Sequence, residues 1–371
     1  MRLPIRAPLP MLAGRSWAPR PTLAYLSRRG AASPAAISRA AGAVSVRGQR
    51  VDVVVVGGGP AGAIVARGLA LLGHEVAVVS APRPFAAVEG VSERAAAVLR
   101  RIGARHALAA LGGPIPRTST WGGRSSRANV EHLVDRDAFD RRLRQDACDA
   151  GARGVEGRVV RCLREGNGWR VTVATSERKS ATLQARFLVE ARGRSAPVDP
   201  TARRGPLGVA LVAEWRLAKR KRRQTAIASF RHGWAWLVVA GHGRAYLQVV
   251  VSGAARRLPS RGALGRFYVA LVRQIPEAAR WLEGAEMAGN VRARASTAAL
   301  SGEIAADDFV RVGDAAFAVD PLSGSGIYEA IAGALGAVPV VNTLIHRPAQ
   351  GLIARRFHRE RVEDAFLRMA R

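Results

Sequence analysis

Residues 53–80 read VVVVGGGPAGAIVARGLALLGHEVAVVS. Four consecutive β-branched residues, Val53 to Val56, predict a short buried strand. Gly57, Gly58 and Gly59 follow at once, then Pro60, Ala61 and Gly62. An Ala/Leu-rich helix is expected to run to about Leu72, where Gly73 stops it, and Val76 to Val79 read as a second buried strand. The order is strand, turn, helix, strand, with Gly57-x-Gly59-x-x-Gly62 at the first turn. In a dinucleotide-binding unit Gly57 permits the tight turn, Gly59 lets the backbone approach a pyrophosphate, and Gly62 lets the helix sit close to the strand. The helix start at Pro60 and Ala61 then offers free N–H groups and a positive dipole end to the phosphates. An acidic residue usually ends the second strand and holds the ribose hydroxyls; here Ser80 stands there. Serine offers a hydrogen bond without charge, so the stretch predicts a dinucleotide and leaves the ribose contact open.

The chain is 371 residues long and 48% apolar, enough for two sub-domains with their own cores. No apolar run reaches the length needed to span a bilayer, so no transmembrane segment is expected. The net charge of +30 is carried almost wholly by arginine, the lysines being Lys179, Lys219 and Lys221. Such a charge suggests an acidic partner such as nucleic acid. The arginines are spread along the whole chain, however, which favours a solvated basic surface, and no nucleic-acid partner is expected. Cys148 and Cys162 make neither a metal spacing nor a disulfide framework and suit a reducing, cytoplasmic compartment. There is no zinc spacing, no P-loop and no Gly-x-Ser-x-Gly elbow, and the seven histidines do not cluster. No metal is expected, and no catalytic side chain stands out. Residues 1–50 lack Asp and Glu and are rich in Arg, Ala, Pro and Ser. They read either as an organellar transit peptide or as a disordered leader, outside the fold.

Further along, Ser92 is a candidate N-cap for a helix from Glu93 to about Ile102, ended by Gly103. Glu89 and Arg94 flank its start, as helix-end charges or as a loop lying over a cofactor. Residues 112–131 read as a loop region. Phe139, Leu143, Ala147 and Ala150 recur at helical spacing after Arg136, whose neighbours Asp135 and Asp137 also permit a solvated charge there. Gly154 to Cys162 and Trp169 to Ala174 read as two strands joined by a turn, and Ala185 to Ala191 as another buried strand. From 207 to about 255 strands dominate, as an antiparallel meander with 216–224 as a solvated hairpin loop. Helices are expected over 261–284, broken or restarted at Pro276. Residues 309–338, FVRVGDAAFAVDPLSGSGIYEAIAGALGAV, read as strand, Gly313-Asp314, a glycine loop and a helix. The last seventeen residues read as a helix that stops without a cap, as in a chain cut short.

The Gly57–Gly62 turn, the strand ending before Arg192-Gly193, and VGDAAFAVDPLSGSGI together resemble flavoprotein monooxygenases of the p-hydroxybenzoate hydroxylase type and their flavin-dependent halogenase relatives. The resemblance implies an α/β fold, an FAD-binding Rossmann-like domain of the glutathione-reductase type with an inserted antiparallel β-sheet substrate domain. It assigns 51–206 and 301–345 to the FAD-binding domain, 207–300 to the substrate sheet and 346–371 to a C-terminal helix. The implied FAD contacts are Gly57, Gly59, Pro60, Ala61 and Gly62 on the pyrophosphate and Gly313 and Asp314 on the ribityl chain. Gly324, Ser325 and Gly326 would place backbone N–H groups near the flavin N1–C2=O edge, with Pro321 also a cofactor contact, Arg136 reaching the cofactor and Val159 on the adenine side. Many relatives carry an Asp-Gly pair where this chain has Arg192-Gly193, which leaves direct NAD(P)H contact open. Gly233-Trp234-Ala235-Trp236 resembles the start of the halogenase Trp-x-Trp-x-Ile-Pro signature but lacks its Ile-Pro, and no lysine stands near Glu89. Trp234 and Trp236 are candidate substrate contacts; sheet packing is the plainer reading of the pair.

PRPFAAVEGVSER, LVDRDAFD and SFRHGWAW resemble the flavin-dependent monooxygenases that mature quinohemoprotein amine dehydrogenase by hydroxylating a peptidyl tryptophan. The implied activity is hydroxylation of an electron-rich aromatic, a small molecule or a protein side chain, through a flavin C4a-hydroperoxide, with FAD reduced by NAD(P)H or a partner reductase. The alternatives are a dehydrogenase or reductase of the geranylgeranyl-reductase-like type, a halogenase, and a non-enzymatic chaperone that binds a partner peptide.

Overall fold

The computed structural model describes residues 47–83, 85–175, 180–252 and 258–370, all within one compact unit, Ala43–Arg371. The expected leader therefore lies outside the described residues up to 46, and the first strand begins inside its last few positions. From that end, β1 (Arg47–Val56), α1 (Pro60–Leu71) and β2 (Val76–Ser80) form the first unit. Next come β3 (Val88–Ser92), α2 (Glu93–Ile102), α3 (Arg105–Ala109), β4 (Pro114–Trp121), β5 (Arg124–Asp135) and α4 (Arg136–Asp149). Then follow β6 (Arg153–Glu156), β7 (Arg158–Glu165), β8 (Gly168–Ala174), β9 (Ser180–Glu190) and the short β10 (Arg203–Arg204). The middle of the chain holds β11 (Gly208–Arg216), β12 (Gln224–Phe230), β13 (Gly233–Gly241), β14 (Arg244–Ser252), α5 (Leu264–Val272), α6 (Pro276–Trp281) and β15 (Glu286–Ala295). The remainder is β16 (Ala299–Leu300), β17 (Ala305–Ala306), β18 (Phe309–Arg311), β19 (Phe317–Ala318), α7 (Gly326–His346) and α8 (Gly351–Ala370).

The first sheet runs β17-β18-β9-β1-β2-β6, with the β7–β8 hairpin attached through β9. Its centre is parallel: Val53 pairs with Val76 of β2 and Phe187 of β9, and Val189 of β9 with Val310 of β18. Val53 and Val55 pack with α1 and α7, while Val54 and Val56 pack with Val171 and Val173 of β8. Both faces are covered, which is why this strand is an unbroken valine run rather than an alternating one.

The second sheet runs β15-β11-β14-β13-β12-β4-β5-β3. One face carries Leu211, Ala226, Ala235, Leu237 and Val249 and is covered by Tyr268, Leu271 and Ala278 of α5 and α6. Pro276 opens α6, as its missing N–H allows. Two expectations need correction here. Residues 112–131 are mostly strand, not loop; β4 and β5 join through Gly122-Gly123, both at positive φ, a two-residue glycine turn that suits a hairpin. And 216–224 is no hairpin loop, because β11 pairs with β14 and β15 while β12 pairs with β13 and β4. Only β12, β13 and β14 form a meander; the strongly basic connection after β11 crosses β14 and β13 to begin β12.

Helix α7 has 21 residues and a mean hydropathy of 1.4, so by length and composition one apolar run does reach bilayer-spanning size. Half of that stretch is buried inside the fold, where the helix packs against α1 and α8.

Candidate functional site

The glycine turn is built by exclusion. Gly57 sits at φ +111, and a Cβ there would lie 2.4 Å from the Ala191 carbonyl oxygen. A Cβ on Gly62 would lie 1.8 Å from the Gly57 oxygen, so α1 rests directly on the turn. Gly59, by contrast, faces open space, with nothing within 4 Å of a built Cβ. It is the N-cap of α1, Pro60 follows, and no side chain caps the helix. The first-turn N–H groups at Ala61 and Gly62 have no intrahelical acceptor and point toward that space. This is the cradle a pyrophosphate requires, and FAD fits it. Arg144 of α4 lies over Gly58, donating to its carbonyl at 3.2 Å, beside Ser80 at the end of β2. Sequence reasoning missed Arg144; its approach depends on where α4 packs. Val159 lies on the same side, two residues after Gly157, whose N–H donates to the Ser80 carbonyl.

The Gly313-Asp314 turn adjoins the first. The strand β18 runs beside β9, and the Val312 N–H donates to Glu190 at 3.0 Å. Gly313 has φ +59, and a Cβ there would meet Ala61 at 2.8 Å and Ala330 of α7 at 3.6 Å. Asp314 keeps 41% of its side chain accessible, with Arg194 at 3.4 Å. Protein nevertheless closes around it: desolvation pushes its carboxyl up, Arg194 and Arg136 pull it down, and Glu89 adds to the rise. Gly193 lies against Asp314, whereas Arg192 folds back onto Glu190 at 2.5 Å. The turns after β1, β9 and β18 thus meet at the carboxyl ends of parallel strands, where open α/β sheets bind ligands.

Arg136 is not a solvated charge. Its Nη1 meets Glu89 at 2.6 Å and its Nη2 meets Asp140 at 3.1 Å, while Arg83 takes the other Asp140 oxygen at 3.0 Å. Burial alone would lower its pKa, but the two carboxylates more than offset that and hold the guanidinium charged. Asp135 instead caps α4 through the Ala138 N–H, and Asp137 pairs with Arg141. Arg94 stacks on Tyr328 of α7, with its guanidinium 4.2 Å from the ring centre.

The loop before α7 joins the two sheets. Pro321 opens a short 3-10 turn, Asp320 accepts from the Leu322 N–H at 2.9 Å, and Gly324 sits at φ +63. Ser325 precedes α7 without capping it, and Gly326 faces open space. Leu322 packs with Trp234, Trp236, Ile227 and Val250 on the inner face of the second sheet, and Trp234 is near enough to Asp320 to hold its carboxyl down against the rise that burial causes. The two tryptophans do share one face of β13. The indole N–H of Trp236 donates to Glu131 at 3.1 Å, and the other Glu131 oxygen lies 3.6 Å from Arg117. Glu131 and Arg117 are 3% and 6% exposed, and the Arg117 Nε has no hydrogen-bond partner. A Cβ on Gly324 would strike Arg117 at 2.7 Å. Sequence reasoning missed this pair, because it lies on strands read as loop.

The sequence model of a family described as FAD binding domain matches residues 50–338. A menaquinone reductase of Mycolicibacterium smegmatis is 29% identical over 306 residues, covering 75% of this chain and 73% of its own length. A tryptophan 2-halogenase of Chondromyces crocatus is 26% identical, covering 86% of this chain and 66% of its own. Among solved structures, QhpG, a peptidyl tryptophan dihydroxylase essential for tryptophylquinone cofactor biogenesis, is 42% identical with a TM-score of 0.77. The match covers 86% of this chain and 73% of that one.

Proposed function

Because this chain belongs to the FAD-binding-domain family and is an FAD-dependent monooxygenase, we propose that it hydroxylates the indole ring of a tryptophan held in a polypeptide, on the way to a quinone cofactor. The observation that carries the reading is the packing of Leu322, in the glycine loop, with Trp234, Ile227 and Val250, which sets the loop beside an aromatic wall. A ring lying between that loop and that wall would be gripped on both sides.

Bound FAD would supply the oxygen-activating chemistry. In this reading Gly57, Gly59, Pro60, Ala61 and Gly62 hold the pyrophosphate, Gly313 and Asp314 the ribityl chain, and Val159 the adenine side. Arg136 braces the cleft from α4. Gly324, Ser325 and Gly326 present backbone N–H groups at the start of α7, with Pro321 shaping the turn before them, and the helix end favours negative charge by about 0.3–1 kcal/mol. Trp234 and Trp236 exclude water and orient the substrate ring. Reducing equivalents come from NAD(P)H or a partner reductase, and the free thiols Cys148 and Cys162 suit a cytoplasmic setting. The test supplies FAD, a reductant and oxygen to a tryptophan peptide and weighs the product; an unchanged mass refutes the reading.

A second reading, an FAD-dependent reductase, is favoured by the likeness to a menaquinone reductase. It predicts that no oxygen disappears in step with substrate when another electron acceptor is present. Halogenation has less support, since the partner of Glu89 is Arg136 rather than a lysine.

A further inference from the structure

The inner face of the second sheet changes character at its edge. In antiparallel pairs, residues directly opposite share a face. Trp234 faces Val250, Val250 faces Ala210, and Ala210 faces Arg294. One row along, Trp236, Gln248, Val212 and Arg292 line up in the same way. Arg292 and Arg294 therefore belong to the tryptophan face, on β15, the last strand of the sheet. Three strand spacings of about 4.8 Å place Arg294 about 14 Å from Trp234.

Both arginines are exposed, yet both are held. The Arg294 guanidinium lies 3.5 Å from the centre of the Phe85 ring and that of Arg292 5.2 Å from it. Arg292 also donates to the Ala86 carbonyl at 3.1 Å. The charges felt by Arg294 are the like charges of Arg83 and Arg292. Asp140, the acid that Arg83 holds, is already shared with Arg136. Edge strands often carry lone cations that discourage pairing with other chains. That role explains outward charges; it does not explain two guanidiniums turned to the inner face and stacked on a ring without a counter-ion among the described residues.

We propose that Arg292 and Arg294, with Arg83 and Phe85, form the docking edge for an acidic segment of the polypeptide substrate. The inference rests on the peptidyl-tryptophan reading and adds what the partner must carry. Extended chain rises about 3.4 Å per residue, so the acidic side chain belongs about four residues from the target tryptophan.

The test uses the FAD-loaded full chain and two twelve-residue peptides with one central tryptophan. One has glutamate four residues to either side; the other has glutamine there. At low ionic strength the acidic peptide binds about tenfold tighter, as two charge contacts allow. In R292Q/R294Q the preference falls to within about twofold while FAD affinity is unchanged. If that variant does not fold, the wild-type preference and its loss in high salt decide alone. Equal binding of two peptides that both gain oxygen overturns the docking edge and leaves the parent reading standing. Oxygen added to neither peptide overturns the proposal through the reading it rests on. Salt-sensitive NADPH binding at these arginines without a peptide preference overturns it in favour of a dinucleotide phosphate.

Discussion

At the carboxyl ends of β1, β9 and β18 the site is made of backbone, at positions where a side chain has no room. On the inner face of the antiparallel sheet it is made of side chains that meet across strands far apart in the chain. Gly57, Gly62 and Gly313 matter for what they lack; Arg117, Glu131 and Trp236 matter for what they hold out. The first kind of site tolerates almost no substitution but binds a cofactor shared by many proteins. The second kind can be rebuilt one residue at a time, and it is there that one family turns to different substrates.

Four experiments bear on that contrast, each as a hypothesis with its expected outcome. Gly62→Val should do most damage, since even a Cβ would lie 1.8 Å from the Gly57 oxygen. We expect FAD affinity to fall more than about a hundredfold, or folding to fail, as overpacking and lost phosphate N–H groups combine. Normal FAD titration would break the contrast at its root. Asp314→Asn should weaken FAD about tenfold, the scale of one charge-assisted hydrogen bond; equal fluorescence quenching curves for variant and wild type would remove Asp314 from the cofactor site. Trp236→Phe should leave FAD affinity within about twofold, cost about 1 kcal/mol in urea unfolding because Glu131 loses a donor, and slow peptide oxidation. If it weakened FAD as much as Asp314→Asn, the two sides would not be separable.

The smallest effect concerns the support of the parallel side. His358 of α8 is buried and donates to the Arg311 carbonyl of β18 at 2.9 Å. Burial, and secondarily Arg361, lowers its pKa. A group whose folded pKa is depressed binds fewer protons folded than unfolded, so stability rises with pH. The contribution is complete above the unfolded value of about 6.5 and is lost as pH falls through the folded one. Denaturation midpoints should therefore drop from pH 7.5 to 5.5, and His358→Gln should flatten that slope; an unaltered slope would assign the drop to other groups.

Legibility in the sequence follows the same divide. The β1–α1–β2 unit, the Ser92 cap and the Gly103 stop of α2 are local, each decided by neighbours within a few residues. Gly313-Asp314 and Gly324–Gly326 were readable for the same reason. Arg117 and Glu131 were not: a buried charge breaks the alternation that marks a strand, and the polar 112–131 stretch therefore resembled a loop. The Gly122-Gly123 turn was the available signal. The order of β11 could not be read either, because a strand's neighbour is a long-range fact that no local pattern encodes.

Leu322 gives its N–H to the Asp320 carboxylate and packs its side chain on the wall of Trp234, Ile227 and Val250. Remodelling the wall to admit a bulkier guest would consequently tug on the turn that leads into α7. Substrate range and the set of that turn are thus mechanically geared: an engineer who widens one should find the other drifting, and should look to Leu322 as the clutch.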